Sequence, residues 1–375
     1  MISFKAAVLS ACSDKRPFTQ SQPLSLETVS AQVPGSDEVL VRITAASLCR
    51  SDLSVITGVR AWPMPIVPGH EASAVVEEVG SAVRSVRPGD RVVLVYQAQC
   101  GQCPCCVAGQ AHLCEPGLTA NRAGELLAGG ARLVRQDGKR LHHHMGLSAF
   151  AEKAVVSEHS IVRIPDEVPA DVAALFGCAV MCGAGSVIHS GGVVAGQTVA
   201  VAGIGGVGAS ALLGARLAGA GRIIAIDPDE QKRAIALELG ATDVVVGGPD
   251  AAAEIVELTG GGVDCALETA GVLAAFETAY HSTKRGGRVV NVGLVNPATA
   301  FQFDLAAHVT SARTIAGSYM GSCNPQVDIP RFVALYLSRR FPVEQLISHR
   351  MPLTDINVAL ENMAASKGLR QILTP

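Results

Sequence analysis

The chain has 375 residues, of which 49% are hydrophobic and 17% are charged, and it contains 39 glycines. This length is too great for one ordinary hydrophobic core and predicts two domains in an α/β protein. The net charge of −3, the pI near 6.4 and the aromatic content of 4% disfavour a nucleic-acid partner, which needs a basic or base-stacking surface.

The first third of the sequence predicts short strands and turns. Strand candidates are MISFKAAVLS, EVLVRITAASL, EASAVVEEVG and DRVVLVYQ, and Pro-Gly pairs interrupt the chain around them. The first of these segments lacks the long apolar core and small-residue cleavage site of a secretory signal. We therefore expect a cytoplasmic protein.

Two early segments carry candidate metal ligands. SLCRSD contains Cys49 and PGHEAS contains His70, and their separation suits two strand ends that meet in a fold. A catalytic zinc usually has three protein ligands and one open position. Spacing alone leaves the third ligand open among the remaining cysteines: Cys12, Cys178, Cys182, Cys265 and Cys323.

A cysteine cluster follows, with the spacing C-x2-C-x2-C-x7-C formed by Cys100, Cys103, Cys106 and Cys114. Four thiolates complete a tetrahedral site, so this cluster predicts a structural zinc. Cys105 lies out of phase and is interpreted as a bystander. The absence of Lys and Arg between Arg91 and Arg122 disfavours a DNA-binding zinc ribbon.

Two longer segments follow the cluster. Residues 115–146 predict a long loop, in which the run of three histidines at 142–144 is typical of either a metal-binding tract or a solvent-facing loop. The segment Val172–Ala215 contains no Asp, Glu, Lys or Arg, as a membrane span would, but it contains eleven glycines. We interpret it as strand, turn and helix, and expect no membrane insertion.

After residue 180 apolar strand candidates alternate with helical patterns. The strand candidates are TVAVAG, RIIAID, DVVVG, VDCALETA, RVVNVG and RTIAGS. Alternation of this kind predicts parallel pairing in a doubly wound sheet.

The first of these strands leads into a glycine-rich turn formed by Gly203, Gly205, Gly206 and Gly208. The next strand ends in Asp227, whose carboxylate suits both ribose hydroxyls of NAD and repels the 2′-phosphate of NADP; Lys232 is a further ribose candidate. The alternative is a turn that packs helix on strand without a ligand.

The ordered motifs resemble the zinc-dependent alcohol dehydrogenases of the medium-chain dehydrogenase/reductase family. The segments that carry the resemblance are Cys49-Arg50-Ser51-Asp52, Gly69-His70-Glu71, the four-cysteine loop, Gly177-Cys178, the glycine-rich turn with Asp227, and Gly368-x-Arg370. The resemblance extends over essentially the whole chain. It implies a GroES-like, β-rich catalytic domain at 1–179 and 322–375, with a Rossmann NAD-binding domain inserted at 180–321.

The resemblance also assigns site residues. It implies that Cys49, His70 and Cys178 bind a catalytic zinc, with Glu71 behind the metal and Asp52 orienting His70, so that each subunit holds two zinc ions. It implies the following further cofactor contacts: Arg50 and Arg370 at the pyrophosphate, Cys182 beside the nicotinamide, and Val207 and Val292.

The implied reaction transfers hydride reversibly between a primary or secondary alcohol and NAD, giving an aldehyde or ketone. Ser51 is expected to accept the alcohol proton and pass it toward Ser54 or water, since Ser54 stands where many members have a histidine. Ala74 replaces a glycine that the family usually has. The expected substrate channel is lined by Tyr96, His144, Met145 and Leu294, and the expected assembly is a homodimer.

The sequence leaves three alternatives open. A zinc-free quinone or enone reductase needs neither the three ligands nor the four-cysteine loop. A thiol-adduct (S-hydroxymethyl thiol) formaldehyde dehydrogenase also has a long loop like the one through 142–146. A non-enzymatic NAD-binding zinc scaffold is disfavoured by the intact Cys49, Ser51, His70 and Cys178.

Overall fold

A computed structural model describes every residue from Met1 to Pro375. The chain divides into two compact units. Unit 1 comprises Met1–Cys178, Asn324–Ser338 and Ile347–Pro375, and unit 2 comprises Ala179–Cys323 and Arg339–Leu346.

Eighteen strands follow one another along the chain. They are β1 (Ile2–Leu9), β2 (Leu24–Ala31), β3 (Glu38–Leu48), β4 (Ile66–Val67), β5 (Ala72–Val79), β6 (Arg91–Leu94), β7 (Leu133–Arg135), β8 (Arg140–His143), β9 (Lys153–Ser157), β10 (Ile161–Arg163), β11 (Thr198–Ala202), β12 (Arg222–Asp227), β13 (Asp243–Val246), β14 (Val263–Glu268), β15 (Thr283–Asn291), β16 (Thr314–Gly317), β17 (Ile347–Pro352) and β18 (Arg370–Thr374).

Thirteen α-helices complete the regular structure, together with short 3-10 and π segments. They are α1 (Phe18–Ser21), α2 (Arg50–Ile56), α3 (Pro104–Val107), α4 (Glu115–Ala123), α5 (Ala170–Leu175), α6 (Met181–Gly185), α7 (Gly206–Leu217), α8 (Glu230–Glu238), α9 (Ala251–Thr259), α10 (Leu273–Ser282), α11 (Leu305–Ser311), α12 (Pro325–Leu337) and α13 (Ile356–Ala364).

Unit 1 is β-rich, as predicted. Strands β1, β2, β7, β8 and β4 close into a small barrel, and β1 pairs with β2 along its whole length. The barrel core contains apolar side chains from several strands, among them Phe4, Val29, Leu40, Leu133 and Val155, all almost fully buried. Closure leaves no open edge on this small sheet, so every strand finds a partner.

The second sheet of unit 1 has the order β10-β6-β5-β3-β18-β17, and β9 also pairs with β3. Its longest strand, β3, runs antiparallel to β5 and is buried over most of its length. Cys49 follows β3 directly, and Arg370 begins the neighbouring β18. The sheet therefore brings residues far apart in sequence to one end of β3.

Unit 2 confirms the prediction of a doubly wound sheet. Its six strands are all parallel, in the order β13-β12-β11-β14-β15-β16. The order reverses between β11 and β14, which in such sheets is where ligands bind beyond the carboxyl ends of the strands. The glycine-rich turn follows β11 at that end.

Two segments differ from the sequence-based expectation. The predicted loop at 115–146 contains α4, β7 and β8, because a proline in its first turn starts α4 and Gly124, with φ +67°, ends it. The segment Ala170–Ser190 forms a continuous helix with π-type turns, and this helix was missed in the charge-free run. It is long and apolar enough to cross a membrane, but 83% of its 18-residue apolar stretch is buried inside the protein, as in a core helix.

Candidate active site

The four-cysteine loop forms a compact cluster, as its spacing predicts. The Sγ atoms of Cys100, Cys103, Cys106 and Cys114 all lie within 4.8 Å of one another, and Cys105 is outside this group. Backbone N–H groups support the thiolates: that of Cys103 donates to Cys100 Sγ at 3.3 Å, and that of Cys100 donates to Cys114 Sγ at 3.2 Å. Four converging sulfurs fit a closed, tetrahedral zinc site.

The structure also brings Cys49, His70 and Cys178 together. Cys49 precedes α2, His70 lies between β4 and β5, and Cys178 lies in the π-helical segment Phe176–Val180. Cys49 Sγ is 3.9 Å from Cys178 Sγ, and Cys178 Sγ is 3.6 Å from His70 Nε2. Sequence spacing left the third ligand open; the geometry selects Cys178.

These distances can be compared with those that a zinc ion requires. Zinc–sulfur bonds of about 2.3 Å and zinc–nitrogen bonds of about 2.05 Å, at the tetrahedral angle, place two sulfurs about 3.8 Å apart and a sulfur and a nitrogen about 3.6 Å apart. The observed 3.9 and 3.6 Å match both values. Three protein ligands leave the fourth position of a tetrahedral zinc free for a water molecule or a substrate oxygen.

Asp52 connects two of the three ligands. Its Oδ2 accepts a hydrogen bond from the backbone N–H of Cys49 at 2.9 Å, and its Oδ1 lies 2.8 Å from His70 Nδ1. Burial raises the pKa of Asp52, but contacts with His70 and His144 outweigh it and hold this pKa below its ordinary value. An ionised Asp52 fixes the tautomer of His70 and directs Nε2 toward the metal position.

Glu71 and Arg370 lie beside the same cluster. Both side chains are almost fully buried, and Arg370 Nη2 is 3.7 Å from Glu71 Oε2. Arg370 also donates from Nη1 to the carbonyl oxygen of Leu48 at 3.1 Å. A hydrogen bond with Cys178 and the charges of Arg370 and His70 hold the pKa of Cys49 well below its ordinary value. The two arginines that the resemblance assigns to the pyrophosphate differ in exposure. Arg370 is only 3% exposed, whereas Arg50 is exposed at the start of α2.

The two serines of the expected proton path lie on α2. Ser51 is half-buried and lies two residues after Cys49, in the first turn of α2. The Ser54 hydroxyl donates to the carbonyl oxygen of Arg50 at 3.1 Å, which ties it to its own helix. The roles of both serines stay predictions.

The expected channel residues fall in different environments. The Tyr96 ring packs edge-on against His70 at 5.6 Å. His144 is fully buried, with its ring 5.3 Å from that of His70 and 5.0 Å from that of Trp62. Nothing in the sequence indicated that Trp62, the only tryptophan, lies at this site. An isolated aromatic residue in a proline-rich stretch does not show which residue it packs against. Met145 is half-buried, and Leu294, in unit 2, is 53% exposed.

The glycine-rich turn in unit 2 has the geometry of a phosphate cradle. Gly203 has φ +97°, and a Cβ there would come within 2.6 Å of Ala270, so only glycine fits. A Cβ on Gly205 would meet nothing within 4 Å. The space beside Gly205 is therefore open, and a phosphate group could reach the N-terminus of α7 there, where unpaired N–H groups favour an anion.

Asp227 ends β12 beside this turn. Its Oδ2 accepts from the backbone N–H of Ile204 at 2.7 Å, and its Oδ1 accepts from that of Asp229 at 2.9 Å. The carboxylate thus stabilises the turn and keeps lone pairs for a ribose. Other predicted cofactor residues lie in the same unit: Cys182 on α6, Gly206, Val207 and Gly208 on α7, Lys232 on α8, and Val292 after β15.

Two family models match the chain. One, described as an alcohol dehydrogenase GroES-like domain, matches residues 35–166, and the other, described as a zinc-binding dehydrogenase, matches residues 206–338. The NDMA-dependent alcohol dehydrogenase of Amycolatopsis methanolica is 37% identical over 378 residues, which cover 98% of each chain.

Solved structures give the same result. An alcohol dehydrogenase zinc-binding domain protein from Burkholderia ambifaria aligns with a TM-score of 0.93 and 36% identity, over 99% of this chain and 98% of that one. Benzyl alcohol dehydrogenase from Acinetobacter calcoaceticus aligns with a TM-score of 0.92 and 31% identity, over 100% and 99%. With the two thiolate clusters and the parallel sheet, these matches confirm the resemblance found in the sequence: the chain belongs to the zinc-dependent alcohol dehydrogenases of the medium-chain dehydrogenase/reductase family and is an oxidoreductase.

Proposed function

We propose that this enzyme oxidises a primary or secondary alcohol reversibly to an aldehyde or ketone with NAD as acceptor, and that each subunit holds two zinc ions. The observation that carries the proposal is the cluster of Cys49, His70 and Cys178, whose 3.9 and 3.6 Å separations suit a three-ligand zinc. Zinc bound there supplies a Lewis acid, which lowers the pKa of an alcohol hydroxyl from about 16 toward 7.

The surrounding residues prepare this cluster for its task. Asp52 holds the His70 ring in one tautomer, and Arg370 and His70 favour the thiolate form of Cys49. Ser51, two residues after Cys49 in the first turn of α2, accepts the substrate proton in this proposal, with water or Ser54 as the next acceptor. Because Ser54 is hydrogen-bonded to its own helix, water is the better candidate.

NAD is supported by unit 2. The open face of Gly205 and the N-terminus of α7 suit a pyrophosphate, and the negative charge of Asp227 beside them disfavours the extra phosphate of NADP. The nicotinamide supplies the hydride acceptor. Arg50, exposed at the start of α2, is a further candidate for binding phosphate.

One comparison favours a second acceptor. The Amycolatopsis methanolica relative is named for its dependence on NDMA, so we propose as a second candidate that alcohol oxidation by this chain is coupled to NDMA. Purified enzyme with an alcohol and NAD should form NADH, followed by its absorbance. Turnover that requires NDMA, with no NADH released, would replace NAD by NDMA as the acceptor.

The substrate is tested with a panel of primary, secondary and benzylic alcohols. Aromatic rings at the site, Tyr96 and Trp62, together with the similarity to a benzyl alcohol dehydrogenase, support including the benzylic arm. Formaldehyde with and without a low-molecular-weight thiol tests the thiol-adduct alternative. If the enzyme oxidised none of these alcohols although NAD and zinc were bound, the non-enzymatic scaffold would be favoured.

The zinc content and assembly have separate tests. Elemental analysis should give two zinc ions per subunit, and a value close to one or zero would reject the two-site proposal. The homodimer stays a prediction, which light scattering of the purified enzyme would test.

A further inference from the structure

The last residue of the histidine run at 142–144, His144, is expected to line the substrate channel, and its ring also packs against the metal cluster. His144 is fully buried, like Asp52 and His70. Its Nδ1 lies 3.3 Å from Asp52 Oδ1, the same oxygen that lies 2.8 Å from His70 Nδ1. One carboxylate oxygen therefore faces two imidazole rings.

We propose that His144 is a positioning residue for the catalytic zinc site, which acts through Asp52 by holding its carboxylate in the orientation that binds His70 and Cys49. This inference rests on the proposed zinc at Cys49, His70 and Cys178. An ionised carboxylate can only accept hydrogen bonds, so each ring must present a protonated nitrogen to it. Asp52 is hydrogen-bonded to the backbone N–H of Cys49 and to His70 Nδ1, and His144 Nδ1 faces the same carboxylate at 3.3 Å.

Packing alone does not explain an imidazole at this position. Neither ring nitrogen of His144 makes a well-aligned hydrogen bond: Nε2 is buried without a partner, and Nδ1 approaches Asp52 Oδ1 only as an ion-pair contact at 3.3 Å. A buried unpaired polar group costs about 1–3 kcal/mol. A phenyl ring would fill the space between Trp62 and His70 without this cost, so the Asp52 contact is what the imidazole adds.

The neighbouring residues keep the ring in place. Trp62 packs edge-on against His144 at 5.0 Å and donates from Nε1 to the backbone carbonyl of His143 at 3.0 Å. The His144 and His70 rings are perpendicular. The ring therefore has little freedom to rotate away from Asp52.

Two variants separate the donor from the ring. His144→Phe keeps an aromatic ring against Trp62 but removes the nitrogen that faces Asp52. His144→Asn loses the ring but keeps an N–H donor at the δ position. His142→Phe, two residues earlier in the same run and beside Gly124, is the matched control.

The readouts are thermal stability and the rate of zinc transfer to a chromogenic chelator, with the catalytic phase identified as the one missing in Cys178→Ser. Loss of an outer hydrogen-bond partner typically weakens metal binding tenfold or more. We expect catalytic zinc to leave His144→Phe about tenfold faster than wild type, with structural zinc and thermal stability unchanged. His144→Asn and His142→Phe should release zinc at close to the wild-type rate.

The outcomes decide between the donor and the ring. Wild-type release from His144→Phe, or equally fast release from His144→Asn, would overturn the proposal. A large fall in the thermal midpoint of His144→Phe would also overturn it, because the ring itself would then be required for folding. Wild-type protein that holds only structural zinc would instead reject the proposed function.

Discussion

The two thiolate sites of unit 1 differ in how their ligands are distributed along the chain. Four cysteines between Cys100 and Cys114 converge through a single loop, whereas the other site joins Cys49, His70 and Cys178 from three separate segments. The local site has four sulfurs and no open position, and the distributed site has three ligands. A loop can close a metal site by itself, but an open site needs the surrounding fold to hold its ligands apart.

The surroundings of the two sites differ as well. The four-cysteine loop is partly exposed, and backbone N–H groups support its thiolates. The distributed site is buried and has charged neighbours, Asp52, Glu71 and Arg370, each of which is itself almost fully buried. Buried charges are costly unless they are paired. A site that only retained a metal would not need these three charged neighbours, so their presence favours a catalytic role for the distributed site.

Removal of a ligand from the distributed site should have the largest effect on activity. Cys178→Ser should lose one of the two proposed zinc ions and reduce turnover by about a thousandfold or more, because the substrate hydroxyl would lose the Lewis acid that lowers its pKa. Elemental analysis and steady-state rates measure both effects. Cys265→Ser, at a buried cysteine in β14, is the control. Normal zinc content and turnover in Cys178→Ser would remove Cys178 from the site.

A ligand change in the local site should reduce stability more than chemistry. Cys103→Ser should lose the other proposed zinc and a large part of the free energy of unfolding, because metal binding there would stabilise a loop with little core of its own. Thermal denaturation with elemental analysis tests this. Cys105→Ser, two residues away and outside the sulfur cluster, should match wild type. An equal loss in both variants would contradict a specific role for Cys103.

What the sequence could predict depends on how local each signal is. The short cysteine spacing and the glycine-rich turn between a strand and a helix are local signals, and the structure has the corresponding sulfur cluster and parallel sheet. Cys178 is different, because it lies 108 residues from His70 and has no local pattern. Only the resemblance to a family identified it before the geometry did.

The missed helix at Ala170–Ser190 has a physical explanation. Its glycines suggested a turn, yet they allow close packing of a buried helix. A Cβ on Gly177 would lie 2.2 Å from the carbonyl oxygen of Leu94, and one on Gly183 would lie 2.3 Å from that of Val207. Glycine lowers helix propensity by about 1 kcal/mol, and tertiary packing outweighs that cost here. The position of His144 beside Asp52 was unpredictable for the same reason, since only the fold brings them together.

A charge change at the nucleotide turn extends the comparison to unit 2, where the proposed ligand is organic. Asp227→Asn should lower the ratio of kcat/KM for NAD over NADP by about tenfold, because a charged hydrogen-bond partner contributes about 1.5–3 kcal/mol. Steady-state kinetics with both cofactors measure the ratio. Asp229→Asn, which changes the same charge two residues later at the N-cap of α8, is the control. An unchanged ratio in Asp227→Asn would exclude Asp227 as the discriminating group.

The smallest expected effect concerns the other buried histidine of the run, which lies away from the metal cluster. Burial, followed by the charges of Arg132 and Arg140, lowers the pKa of His143 to about 3. His143 Nε2 accepts from the backbone N–H of Arg132 at 3.2 Å, and Nδ1 lies 3.1 Å from Ser148 Oγ. These contacts suit the neutral ring.

The sign of the pH dependence follows from these contacts. Below about pH 6.5 the unfolded chain binds a proton at residue 143 and the folded chain does not, so the free energy of unfolding falls as the pH drops toward 3. Each pH unit in that window removes about 1.4 kcal/mol of this contribution. Denaturant unfolding at pH 7.5 and 5.5 should show a shallower dependence for His143→Asn than for wild type or His159→Asn. Equal slopes in all three proteins would mean that His143 becomes protonated without unfolding, and that its burial is less complete in solution than its packing indicates.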